Sequence, residues 1–142
     1  MSVYVDTSAI LAVLDADDEN HESAKRTWID LLESREAIVC NNYLLVETYT
    51  LVQYRLGMEA LRAFHEDVFP ILNLEWIDDS LHRQAANALL TANRRNLSLV
   101  DCASFNSMRL LGLKKVFAFD KHFAEQGFTC IPEGDLSRKL SC

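Results

Sequence analysis

The sequence lacks the markers of most specialised protein classes. Its four cysteines, Cys40, Cys102, Cys130 and Cys142, form no CxxC pair, which disfavours a zinc ribbon or a thioredoxin-type motif. Cys40 and Cys130 lie in apolar runs and are expected as small core residues. The N-terminus has no basic stretch followed by an apolar core and a small-residue cleavage site. A reducing, cytoplasmic setting is therefore expected. No apolar run approaches the ~20 residues that a bilayer span requires, so no membrane partner is expected. Neither GxxxxGK(S/T) nor GxGxxG occurs, so the ordinary nucleotide-binding folds are disfavoured. Basic charge is also scarce. With 14 Lys and Arg against 21 Asp and Glu, the net charge is −7. That argues against a generic basic nucleic-acid surface. It does not argue against an enzyme acting on nucleic acid, because bound metal ions invert the field of an acidic site.

What is present is an alternation of short apolar runs with amphipathic ones. Val3–Val5, 37–40, 71–77, 115–119 and 128–131 read as strands. Helices are expected over 8–14, around Ala24, Trp28, Leu31 and Leu32, from Asn41 or Asn42 to Gly57, and over 60–68 up to Pro70. Two more are expected, after Asp78-Asp79-Ser80 and from Ser98 to Gly112. The strands show no polar alternation, so both faces should be buried. The expected fold is a single α/β domain with a short parallel sheet of about five strands flanked by helices. Residues 1–132 would form this domain, and 133–142 a polar C-terminal tail.

Open parallel sheets bind ligands beyond the carboxyl ends of their strands. Asp6 follows the first strand, and Asp120 follows the run KVFAF. Glu47 lies in the helix after the second strand, and Asp101 in the first turn of the helix opened by Ser98. Each aspartate also has a structural explanation. Asp6 and Asp120 can cap the helices that follow them, and SLVD resembles a capping box. Glu47 sits among Leu44, Leu45, Val46 and Leu51, past any cap, and is expected either on a solvated helix face or buried on the apolar side. A buried carboxylate there needs a partner, and a cation is one. Converging carboxylates repel unless protons or metal ions offset them. An all-oxygen ligand set suits Mg²⁺ or Mn²⁺. Such a site can activate water against a phosphodiester. An aspartyl-phosphate mechanism is disfavoured, because the second Asp of its motif is replaced by Ser8.

The segments VYVDTSAILAVLD, NNYLLVETYTLV, LSLVDCASF and VFAFDKHF, in this order, resemble the PIN-domain ribonucleases, and among them the VapC-like toxins of toxin–antitoxin pairs. The likeness spans about the first 130 residues, the usual size of one domain. It implies a divalent-metal-dependent endoribonuclease. Asp6 and Asp101 would be the primary metal ligands, with Glu47 and Asp120 completing a catalytic cluster. Thr7 or Ser8 would orient it, and Ser98 would shape the helix start. The resemblance also implies an RNA substrate, a homodimer and an antitoxin protein as partner. One departure is Ala118, where many relatives carry Thr or Ser.

Other residues are read as follows. Arg94 and Arg95 precede the LSLVD element and are candidates for phosphate contacts. His21 is expected to be solvated, and His122 to face solvent or substrate without being essential. Trp28, Tyr49, Tyr54 and Trp76 are expected in the core or a dimer interface. Two other functions fit the same residues. One is a PIN-like module that binds RNA or protein without cutting it. The other is a metal-dependent DNA nuclease or phosphatase, since no residue here reports a 2′-OH contact.

Overall fold

The structure is a computed structural model in which residues 1–133 are described. The polar tail expected at 133–142 lies almost wholly outside them. Five strands, β1 (Ser2–Val5), β2 (Ala37–Asn41), β3 (Asn73–Glu75), β4 (Lys115–Phe117) and β5 (Thr129–Ile131), form one sheet in the order β3-β2-β1-β4-β5. Every pairing is parallel. All carboxyl ends therefore share one edge. The chain starts at the centre, with β1, and fills first one side and then the other. The switch point falls between β1 and β4.

Among the described residues, seven α-helices surround the sheet: α1 (Thr7–Leu14), α2 (His21–Ser34), α3 (Asn42–Leu56), α4 (Met58–Ala63), α5 (Asp79–Ala92), α6 (Leu99–Leu111) and α7 (Lys121–Glu125). Val3, Tyr4 and Val5 are fully buried, as are Val116 and Phe117, because helices cover both faces. Small buried residues on α6, namely Ala103, Ser104 and Ser107, let it lie close to the sheet. Ser104 Oγ accepts from the Tyr4 hydroxyl (2.9 Å), and Ser107 Oγ accepts from Asn41 Nδ2 (3.1 Å). These buried polar groups are thus paired.

The helix starts follow the expected caps. Asn41 accepts from Leu44 N–H, Asp78 from Leu81 N–H, and Ser98 from Asp101 N–H. Gly112 ends α6 at φ 68°, a left-handed conformation that glycine adopts without steric cost.

Two expected elements differ. The helix expected over 60–68 passes from α4 into a π-helical turn (Phe64–Val68) and a 3-10 turn (Phe69–Ile71). The widened turn buries both Phe64 and Val68. The strand expected over 71–77 shrinks to Asn73–Glu75, because Ile71 belongs to the 3-10 turn and Asn42 Oδ1 accepts from Ile77 N–H instead of a strand partner. Of the aromatics, Trp28 and Tyr49 pack against the core. Tyr54 (87% exposed) and Trp76 (67%) do not. Tyr54 lies on the outward face of the last turns of α3, and Trp76 beyond the end of an edge strand.

Candidate metal centre at the switch point

The expected acidic residues gather at the carboxyl edge, around the gap between β1 and β4. Asp6 leaves β1 and is the N-cap of α1. Its carboxylate accepts from the Ser8 amide (3.1 Å) and the Ser8 hydroxyl (2.6 Å). Asp6 thus takes the capping role that its position allows, because an Asp there reaches the second amide of the helix. The Asp6 carboxyl is nonetheless almost completely buried. Burial, opposed by the two Ser8 bonds but reinforced by the charges of Asp120 and Asp101, pushes its pKa up to about 7. Capping and membership of an acidic cluster are the same carboxylate seen from two sides.

Ser8 does more than serve Asp6. Its Oγ also accepts from the Phe119 amide at 3.0 Å, and the Asp6 amide donates to Phe117 O at 2.9 Å. One hydroxyl therefore ties the end of β1 to the loop leaving β4. Thr7 is buried on the other side of Asp6, with Thr7 Oγ1 2.9 Å from Thr48 Oγ1. Thr48 gives its proton to Leu44 O, so Thr7 donates to Thr48 or turns to the neighbouring Glu47 carboxylate.

Glu47 lies half-buried in α3. Burial raises its pKa, the Thr7 hydroxyl lowers it, and the charges of Asp101 and Asp120 raise it again. Asp101 is raised mainly by burial as well, against the hydrogen bonds from Ser98. The capping box is complete. Ser98 Oγ accepts from the Asp101 amide (2.9 Å), and Asp101 Oδ2 accepts from the Ser98 amide (3.1 Å). Asp120 caps α7 through the His122 amide (2.9 Å). None of the four carboxylates has a Lys or Arg ion pair among the described residues.

His122 is a correction to the sequence reading. It is buried, not turned to solvent, because Nε2 meets the Asn96 carbonyl at 3.1 Å. That acceptor lies 26 residues away in the chain, so local sequence gives no sign of it. One imidazole nitrogen and one oxygen each from Asp101 and Asp120 lie within 4.8 Å of one another, a spacing compatible with one metal ion. His21 is also not simply solvated. It is half-buried, and its Nδ1 donates to Ala12 O at 2.8 Å.

The two arginines are exposed. Arg94 is engaged in an ion pair with Glu125 at 3.0 Å, which also lies 3.7 Å from His122 Nδ1. Arg95 makes no ion pair or hydrogen bond among the described residues.

A PIN domain family model matches residues 3–128. The chain is 33% identical over 127 residues to the 23S rRNA-specific endonuclease VapC20 of Mycobacterium tuberculosis, covering 89% of this chain and 95% of that one. It is 22% identical, over 89% of its length and 93% of the relative's, to a VapC ribonuclease of Aquifex aeolicus. The crystal structure of Mycobacterium tuberculosis VapC20, a sarcin–ricin loop cleaving toxin, superposes with a TM-score of 0.78 over 90% of this chain and 97% of that one. Rickettsia felis VapBC2, bound to a promoter DNA fragment, shares the fold at 10% identity and a TM-score of 0.66, over 92% and 97% of the two chains. With a parallel five-stranded sheet, carboxylates at its switch point and a family match across nearly its whole described length, this chain belongs to the PIN domain family.

Proposed function

We propose that the protein is a divalent-metal-dependent endoribonuclease and the toxin of a toxin–antitoxin pair. One observation carries this reading. Four carboxylates lie together at the switch point, none of them in an ion pair with Lys or Arg among the described residues, and burial pushes the pKa of the most buried, Asp6, up to about 7. A cation of charge two resolves that repulsion, and oxygen donors favour Mg²⁺ or Mn²⁺. The relatives' activity on RNA supports the choice of substrate over DNA or a phosphate ester.

Asp6, Asp101 and Asp120 would hold the ion, with Glu47 completing the site. A bound divalent ion supplies a water of lowered pKa and charge stabilisation at the phosphate. The chain's own residues fix the geometry. Ser8 holds the Asp6 carboxylate by its hydroxyl proton, and the Ser98 amide holds Asp101. His122 keeps its proton on Nε2 toward Asn96 O, because a carbonyl only accepts. Arg95, which makes no ion pair or hydrogen bond among the described residues, is suited to a phosphate of the RNA backbone, whereas Arg94 is tied to Glu125. An antitoxin partner, a homodimer and a cytoplasmic setting complete the proposal. The neighbouring VapBC fold supports the first of these only by analogy.

The test is cleavage of labelled RNA, single-stranded DNA and a small phosphate ester by purified protein with Mn²⁺ or Mg²⁺. RNA alone should be cut, and Asp101→Asn should lower the rate at least ~100-fold while a cooperative melt survives. Full activity in Asp101→Asn, or cleavage independent of metal, overturns the assignment.

A further inference from the structure

Cap hydrogen bonds fix Asp101 on α6 and Asp120 on α7. They do not fix one helix relative to the other. An ion held between the two carboxylates needs that spacing as well, because Mg²⁺ accepts oxygen ligands only near ~2.0–2.1 Å. α7 cannot set the spacing by itself. It has five residues, well short of the ~12–15 at which an isolated helix is even marginal in water. Its placement comes from what it touches. On one side Phe123 is fully buried, its ring edge-on to that of Phe105 on α6 at 5.2 Å. Hydrophobic burial is non-directional, so it holds α7 against α6 without setting the position of Asp120.

On the other side, two polar links join α7 to the segment that leads into α6. Arg94 donates to Glu125 (3.0 Å), and His122 Nε2 donates to Asn96 O (3.1 Å). The first link is exposed, and exposed ion pairs contribute little. The second is covered, since His122 is only 8% exposed. Asn96 lies two residues before Ser98, the cap whose hydroxyl and amide both engage Asp101. The residue between them, Leu97, is buried, and its amide donates to Arg94 O (3.2 Å). A shift of Asn96 is therefore passed on to Ser98 and Asp101. His122 acts on Asp120 as well, because its main-chain amide donates to Asp120 Oδ1 (2.9 Å). One residue holds one carboxylate by its backbone and the approach to the other by its ring. The imidazole is rigid, with a donor at its far end. One of its nitrogens lies within 4.8 Å of oxygens of both Asp101 and Asp120.

We infer, on the proposed metal-centre reading of this site, that His122 is a positioning residue. By joining α7 to the entry of α6 it sets the separation of Asp101 and Asp120, and through that separation the affinity for the divalent ion. Nε2 is committed to the Asn96 carbonyl, and Nδ1 lies 3.7 Å from Glu125 Oε2. The ring thus serves the bracket between helix and loop, and the carboxylates supply the ligand atoms.

The test is Mn²⁺ affinity, measured by calorimetry on the full chain and set beside a thermal melt in chelator. His122→Leu keeps the bulk and removes the donor. His122→Gln keeps a donor near the position of Nε2 without the ring. Groups that support a metal ligand from behind are worth ~10–100-fold in metal affinity, so His122→Leu should raise the Mn²⁺ Kd at least ~10-fold, and His122→Gln should stay within ~3-fold of wild type. A purely structural role would lower the melting temperature of the variants without this split in affinity. Wild-type affinity in His122→Leu overturns the inference. So does an equal loss in both variants, the result expected of a ring that itself ligates the ion. Where His122→Leu gives no cooperative melt, His122→Gln decides alone: affinity within the stated margin supports the inference, and a larger loss overturns it. Wild-type protein that binds no Mn²⁺ overturns the metal-centre reading itself, and the inference with it.

Discussion

The acidic site has two walls of different character. The wall built from β1 and α1 is buried, and Ser8 gives two hydrogen bonds to one oxygen of Asp6. Asp6 is nearly inaccessible, and Ser8 clamps it to the loop after β4. The wall built from α6 and α7 is only half-covered. There Asp101 and Asp120 hold their positions through cap hydrogen bonds alone and share space with an imidazole nitrogen. The first wall stores electrostatic cost, and the second offers ligand atoms to an incoming ion. A site that binds a cation from solution benefits from both, because the cost stored in one wall is released when the ion arrives at the other.

Substitutions should separate the two walls. Asp6→Asn and Asp120→Asn should each reduce RNA cleavage at least ~100-fold. Their effects on the metal-free protein should diverge. Asp6→Asn keeps the cap acceptor and removes the buried charge, so it should raise stability by on the order of 2 kcal/mol at neutral pH. Asp120→Asn should stay within about 0.5 kcal/mol of wild type. Denaturant melts in a chelator would show this, and equal shifts for the two variants would erase the distinction.

The pH dependence follows from the same asymmetry. The Asp6 pKa rises from 3.8 to about 7 on folding, and Glu47 and Asp101 are raised too. Between those limits the folded chain binds more protons than the unfolded one. Stability of the metal-free protein should therefore fall as pH rises from about 4 to about 7. Asp6→Asn should flatten that slope, and saturating Mn²⁺ should oppose it by binding the folded state. A metal-free melting temperature that climbs over this range would contradict the raised values.

Smaller effects test the clamp and the rim. Ser8→Ala removes one hydrogen bond to each side of the switch point and should cost about 1–2 kcal/mol of stability, with cleavage reduced but not abolished. Arg95→Ala should weaken RNA binding by less than ~1 kcal/mol and lower the salt slope by about one, read by binding at several salt concentrations. Arg94→Ala should have a smaller effect on that slope, because Arg94 is already paired with Glu125.

Much of this was legible in the sequence because it is local. Asn41, Asp78 and Ser98 announce helix starts through their own side chains, and Gly112 announces an end. The acidic cluster was legible because strand ends in a parallel sheet share an edge, so four separated carboxylates could be brought together by topology alone. What escaped was non-local. His122 is buried by a carbonyl from Asn96, and Ser8 reaches an amide 111 residues away. Neither leaves a periodicity or a spacing. The π-helical turn at Phe64–Val68 was hidden for another reason. It changes only the winding of a helix whose apolar pattern looks continuous.

The uniform direction of the strands has a consequence for how the molecule can vary. The acidic cluster lies at one edge, and the turns that return the chain to β2, β4 and β5 lie at the other. Those turns pass through Arg35, Gly112 and Gly127, all with positive φ. A few flexible residues inserted after Gly112 or Gly127 lengthen a turn on the far side of the sheet and leave every carboxylate where it was.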